Sequence, residues 1–215
     1  MSRGWCLGRT PSAVAATIAA LSLGACATVV VPPAAPGQAE AVYLLDHGRH
    51  SSLVLPAADG GMVRYEYGDW AYFALNERGA RAVSGALFGP STAALGRQRL
   101  PGPASAFAVR RHVRVSIENL YVLEVEREGV RTLRERLDAI HESAGEKPVY
   151  NPRYELEFVR HPDAYSASRN SNSMVADWLQ SLGCRVAGWK LWASWDIRPP
   201  RPLRSNGREP SRPQG

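Results

Sequence analysis

The sequence predicts one α+β domain over residues 41–197, an antiparallel sheet packed with helices. Two observations carry this. In the first third, short runs of strand-forming residues follow one another across turn signals, the pattern of a meander. Further on, two segments place apolar residues at helical spacing. About 160 residues is a usual size for a single core. With Cys6 and Cys26 accounted for below, Cys184 is the one ordinary cysteine left, so no internal disulfide braces the fold.

Taken in order, Ala41-Val42-Tyr43-Leu44-Leu45 is a strand, broken at Asp46-His47-Gly48-Arg49. His50-Ser51-Ser52-Leu53-Val54-Leu55 is a second, ending at Pro56, and Asp59-Gly60-Gly61 turns the chain into an alternating third, Met62 to Tyr67. Residues 76–105, rich in Gly and Pro, are ambiguous between short helices and loop. Residues 110–115 read as a strand, and 120–126 as a clearer one. Between 130 and 144, Val130, Leu133, Leu137 and Ile140 share one face of an amphipathic helix. Residues 154–159 suggest a strand. A second helix over 172–182 has Met174, Val175, Trp178, Leu179 and Leu182 as its apolar face and Gly183 as its C-terminal cap. Trp189, Trp192 and Trp195, three apart, read as a stripe that packs the last structured segment on the core, with sugar binding as the alternative.

The ends of the chain differ in composition from this body. Arg3 and Arg9, with no acid among residues 1–25, precede an apolar run from Ala13 that ends in Leu23-Gly24-Ala25-Cys26. The run is far short of the ~20 residues that cross a bilayer and fits a signal segment. Its last four residues resemble a bacterial lipobox. That resemblance implies cleavage before Cys26, a diacylglycerol on its thiol and a further acyl chain, such as palmitate, on its amine, each buried methylene adding ~0.8 kcal/mol of membrane affinity. Ala27 and Thr28 follow without an acidic residue, which by the same resemblance implies the outer membrane, facing the periplasm. A plain secretory signal cleaved near Ala25-Cys26-Ala27 is the alternative.

Residues 26–40, with Pro32, Pro33 and Pro36, predict an extended linker that lifts the domain off the membrane. Loss of Arg3 and Arg9 lowers the formal charge from +6 to +4, and the excess gathers at the end. Residues 198–215 hold Arg198, Arg201, Arg204, Arg208 and Arg212 against Glu209, with five prolines, and predict a disordered tail. Such a tail either stays solvated or touches anionic envelope lipid. Nucleic acid is not an expected partner of an exported chain without basic–aromatic interleaving elsewhere.

Three groups of residues offer chemistry. Asp46, His47 and His50 lie close together, but no second cluster completes a tetrahedral set, so neither a metal nor a cofactor is expected. Arg169-Asn170-Ser171-Asn172-Ser173 opens the second helix. Capping alone accounts for these residue types; a nucleophile placed there also gains the positive end of the helix dipole and free N–H groups, as in papain-like enzymes. Cys184, past the helix end, reads as a packing residue, since the negative dipole end raises a thiol's pKa. His47, His112, His141 and His161 each fit half-buried or surface roles.

Residues 43–56, Tyr65-Glu66-Tyr67-Gly68-Asp69, Asn170-Ser171-Asn172 and Ala176-Asp177-Trp178-Leu179 together resemble a bacterial family described as conserved hypothetical proteins of the urease region. That family is similar in pattern to permuted papain-like proteins of the NlpC type, in which a strand histidine precedes a helix-start cysteine. The resemblance implies that His50 is the base and that Ser171 stands where the family commonly has cysteine. A serine needs its proton removed during attack, so His50 requires an orienting group. Glu66, on the adjacent strand in matching phase, is the first choice and Asp69 the second. Two classes follow: an amide or ester hydrolase or acyltransferase, or a silent module that binds peptidoglycan or envelope lipid or serves a structural role. A Ser171–His50 pair within hydrogen-bond reach would favour the enzyme; a blocked or distant pair would favour binding.

Overall fold

The computed structural model describes residues 27–77 and 89–200, so the lipobox and most of the basic tail lie outside the described residues. The fold is α+β. A seven-stranded antiparallel sheet runs in the order β6-β2-β3-β4-β5-β8-β7. Its members are β2 (Ala39–Asp46), β3 (Ser51–Pro56), β4 (Met62–Asp69), β5 (Ser91–Leu100), β6 (Asn119–Glu126), β7 (Val149–Asn151) and β8 (Leu156–Tyr165). The first three form the predicted meander. Asp59 turns β3 into β4 by accepting the Gly61 amide at 3.1 Å, beside Gly60 at φ +85°.

Strand alternation gives this sheet two different faces. On one, Leu44, Leu53, Leu55, Val63, Tyr65 and Tyr67 pack beneath α2 (Arg127–Glu142) and α3 (Ser171–Ser181). Val130, Leu133 and Leu137 of α2 and Val175, Trp178 and Leu179 of α3 meet them, the apolar faces that their spacing predicts. Each such side chain contributes roughly 1.5–3 kcal/mol on full burial. Gly183 follows α3 at φ +84°, in the capping role expected of it. On the opposite face, Tyr43, Leu45, Val54 and Met62 pack on α1 (Ala106–His112) at one end, and Trp70, Phe73, Tyr154 and Phe158 gather at the other.

Three local expectations are corrected. Residues 106–112 are helical, where 110–115 were expected to extend as a strand: Ser105 accepts the Ala108 amide at 3.1 Å and Arg110, Arg111 and His112 sit in the last turn, where the dipole favours cations. The linker is shorter than 26–40, because Thr28–Val31 is a strand, β1. Its run of β-branched residues pairs parallel with β10 (Trp195–Ile197) and antiparallel with β9 (Arg185–Ala187), burying Thr28 and Val30 completely. The tryptophan stripe does not pack as a unit. Trp195 is buried on β10, whereas Trp189 and Trp192 lie in the preceding turn, 57% and 60% exposed.

Candidate functional site

The β2–β3 hairpin tip builds one side of a cleft. Asp46 pairs with Ser51 across the strands, and His47 N–H donates to the His50 carbonyl at 3.0 Å. Gly48 takes φ +85°, where a side chain is strained and a Cβ would meet Glu118. Asp46 is committed to this turn: one carboxylate oxygen accepts the Gly48 amide at 2.7 Å and the other accepts from Asn119 at 3.1 Å. It is therefore not part of a metal-ligand set with the histidines.

The register Ser52↔Glu66 and Val54↔Arg64 places Ser52, Arg64 and Glu66 on the face away from α2 and α3. Burying two charges there is costly unless every polar atom is matched. Arg64 is matched: Nη2 donates to Glu66 Oε2 at 2.8 Å, Nη1 to the Tyr154 carbonyl at 3.0 Å and to Gln98 at 3.3 Å, and Nε to Ser52 Oγ at 3.0 Å. Burial pushes the guanidinium's pKa down and the Glu66 charge pushes it back up. His47 closes the network. Its Nδ1 faces the Ser116 carbonyl at 2.7 Å, which can only accept, so Nδ1 carries the proton and Nε2 accepts from the Ser52 hydroxyl at 2.9 Å. Burial first, then the charges of Arg64 and His50, drive its pKa to about 2, so His47 stays neutral.

His50 lies beside this network with a different status. Its ring stacks on His47 at 4.8 Å and meets Phe73 and Tyr154 edge-on at 5.5 and 5.8 Å. Nε2 faces Glu66 Oε1 at 3.5 Å. That is ion-pair distance outside hydrogen-bond geometry, and neither buried atom has a hydrogen bond. The side chain is still 17% exposed, and with Nε2 buried the nitrogen left for a ligand is Nδ1. An open cleft of about 740 Å³ lies in front of it, lined by His47, Arg49, Tyr72, Glu118, Arg153 and Tyr154 among others.

The structure thus brings His50 and Glu66 together, and no hydrogen bond joins Ser171 to either. The α3 helix sits on the other face of the sheet, tied there by Ser51, whose hydroxyl donates to Asn172 Oδ1 at 2.9 Å and accepts from Trp195 Nε1 at 2.8 Å. Ser51 and Ser52 point to opposite faces, and the His50 ring goes with Ser52, into the Phe73–Tyr154 cluster. Ser171 is buried at the first turn of α3, and Asn170 and Ser173 cap that helix reciprocally: Asn170 Oδ1 accepts the Ser173 amide at 3.0 Å, and Ser173 Oγ accepts the Asn170 amide at 2.8 Å. Asp69 is also engaged structurally, accepting the Tyr72 amide at 2.9 Å at the start of the π-helical turn Trp70–Ala74. Cys184 is buried, and burial pushes its thiol up to about 11.

Sequence reasoning missed Arg64, Ser52 and the Ser51–Asn172–Trp195 tie. Alternation along Met62–Asp69 assigns Arg64 to the Glu66 face, and an arginine amid strand apolars was the available signal.

The ligand atoms of His47, His50 and Glu66 lie within 4.8 Å of one another, which invites a metal reading. Arg64 argues against it. Its cation lies 3.4 Å from His47 Nε2 and holds one Glu66 oxygen, so an ion would displace Ser52 from His47 and sit against a buried positive charge.

Comparison with known proteins adds no relative: no family model, no curated protein and no solved structure matches the chain.

Proposed function

We propose that this chain is an envelope lipoprotein, anchored through Cys26 and facing the periplasm from the outer membrane, whose domain hydrolyses acyl bonds, amide or ester, with His50 as general base and Glu66 as its orienting carboxylate. One observation carries the catalytic part: a fully buried carboxylate, held by a fully buried arginine, is aimed at the inner nitrogen of a histidine whose ring opens on a cleft. Such a charged group is costly to bury and is retained where it orients a proton carrier. In the proposed step His50 Nδ1 takes a proton from water as the water oxygen attacks the acyl carbon. The same proton passes to the departing amine or alcohol as its bond to the acyl carbon breaks. Arg49 and Arg153 on the cleft wall suit a substrate with a carboxylate or phosphate near the scissile bond.

Water takes the nucleophile's place because Ser171, buried at the first turn of α3, makes no hydrogen bond to His50. Kinship with permuted papain-like proteins of the NlpC type belongs to the same proposal, supported by the order of strand histidine and later helix-start serine and by the packing of that helix on the sheet. The anchor is supported by the lipobox sequence, and among the described residues no helix is long and apolar enough to cross a membrane.

A second reading, a silent module binding peptidoglycan or envelope lipid in this cleft, is favoured by the separation of Ser171 from His50. The two readings part on p-nitrophenyl acetate hydrolysis by the full chain in detergent. The enzyme reading expects turnover above buffer that falls about 10²-fold or more in His50→Gln, and falls also in Glu66→Gln. Buffer-level turnover by the folded wild type assigns the cleft to binding.

A further inference from the structure

The turn between β9 and β10 presents Trp189, Leu191 and Trp192 to solvent, 57%, 41% and 60% exposed, with Lys190 between them. Other exposed large apolar residues, such as Phe107, Val122 and Tyr150, are scattered through the chain; these three fall within four residues. An apolar cluster in a short connection needs a partner. Its position identifies one. Thr28, two residues after Cys26, donates its hydroxyl to the Trp189 carbonyl at 2.9 Å and its amide to the Ser194 carbonyl at 2.7 Å. Gly188 touches the same segment: a Cβ there would lie 2.5 Å from the Ala27 carbonyl oxygen. Only Ala27 separates Thr28 from Cys26 in the sequence, and a trans chain advances at most ~3.6 Å per residue.

We propose that Trp189, Leu191 and Trp192 form a membrane-docking surface that seats in the bilayer interface beside the lipid on Cys26, an inference that rests on the anchor proposed above. The body then lies on the membrane. The prolines at 32, 33 and 36, which the sequence suggested would hold it away, come after the strand that fixes the anchor point. Tryptophan suits this surface because its ring is apolar while its N–H finds partners at headgroup depth. Lys190 is paired with Asp177 at 3.4 Å and Arg198 with Asp196 at 2.7 Å, so the added attraction to anionic headgroups comes from the arginines of the sequence beyond Arg198. Docking also sets the position of the cleft. Asn172 Nδ2 donates to both the Leu191 and the Arg49 carbonyls, at 3.4 and 3.3 Å, so the cleft wall at Arg49 lies directly behind the docked turn.

The natural tryptophans make the test. Trp70, Trp178 and Trp195 are buried, and Trp5 leaves with the signal segment, so contact with lipid reports on Trp189 and Trp192. The lipidated full protein is reconstituted into vesicles of phosphatidylglycerol and dibrominated phosphatidylcholine in equal parts, then floated and read by fluorescence. Docking predicts quenching of up to about two fifths of the emission relative to unbrominated vesicles. Trp189→Ala/Trp192→Ala should float equally well and lose that quenching. Wild-type protein that floats unquenched overturns the docking surface and leaves the anchor standing. Wild-type protein that fails to float, like Cys26→Ser, overturns both.

Discussion

Arg64→Met removes the cation from a completely buried pair and leaves the aliphatic volume in place. In the native domain Glu66 Oε2 accepts from Arg64 at 2.8 Å and Oε1 has no hydrogen bond, so the variant strands a buried carboxylate with its main partner gone. It also strips donors from Ser52, Gln98 and the Tyr154 carbonyl. Breaking a buried pair in this way costs about 3–5 kcal/mol. Glu66→Gln added to Arg64→Met removes the stranded charge, so the double variant should recover roughly half of the loss. The assay is urea unfolding of Arg64→Met, Glu66→Gln and the double variant beside the wild type, with coupling taken from the cycle. A domain of this size moves about 2–4 °C per kcal/mol, so the single variant should melt near 10 °C lower. An Arg64→Met cost below about 1 kcal/mol, or a double variant no better than the single, refutes the argument that Arg64 holds Glu66 in place.

Gly68→Ala places a Cβ 2.2 Å from the Phe73 ring, which packs on His50; stability should fall by about 1–3 kcal/mol, and calorimetry of the variant checks it. A chain trimmed to residues 38–198 loses β1 and leaves β9 and β10 without their common partner, so its urea midpoint should lie below that of the full chain. Acid should destabilise early. Burial lowers the pKa of His47, His141 and His161 in the folded state, so the unfolded chain binds more protons below its ordinary histidine pKa. Stability is full above pH ~6.5 and falls with pH; for His47, whose folded pKa is about 2, the loss is roughly 2–3 kcal/mol by pH ~4.5, read as a shift of the urea midpoint that His47→Gln reduces.

The parts of the fold legible in sequence were those with a clean period. The 62–67 strand and the α2 and α3 apolar faces are where their periods put them, although β4 is buried on both faces, its polar Arg64 and Glu66 satisfied by one another rather than by solvent. Residues 28–31 were misread because the neighbouring prolines dominate a composition-based reading, while the strand is stabilised by partners more than 150 residues away. Val113-Arg114-Val115 alternates as a strand would, yet the Ser105 cap and the packing of Ala108 and Val109 on Tyr43, Leu45 and Val54 carry residues 110–112 into α1, which ends at an extended Val113. The site was half legible. Glu66 was placed beside His50 by strand phase, a local property. The position of Ser171 depended on which face of the sheet its helix covers, and no residue pattern within 169–173 records that.

On the proposed function, chemistry takes place on the His50–Glu66 face and Ser171 serves the first turn of α3. Ser171→Ala and His50→Gln, both verified as folded, are compared on p-nitrophenyl acetate under identical conditions. Ser171→Ala should stay within about twofold of the wild type while His50→Gln loses about 10²-fold or more. Loss of turnover in folded Ser171→Ala, with His50→Gln retaining it, contradicts the assignment.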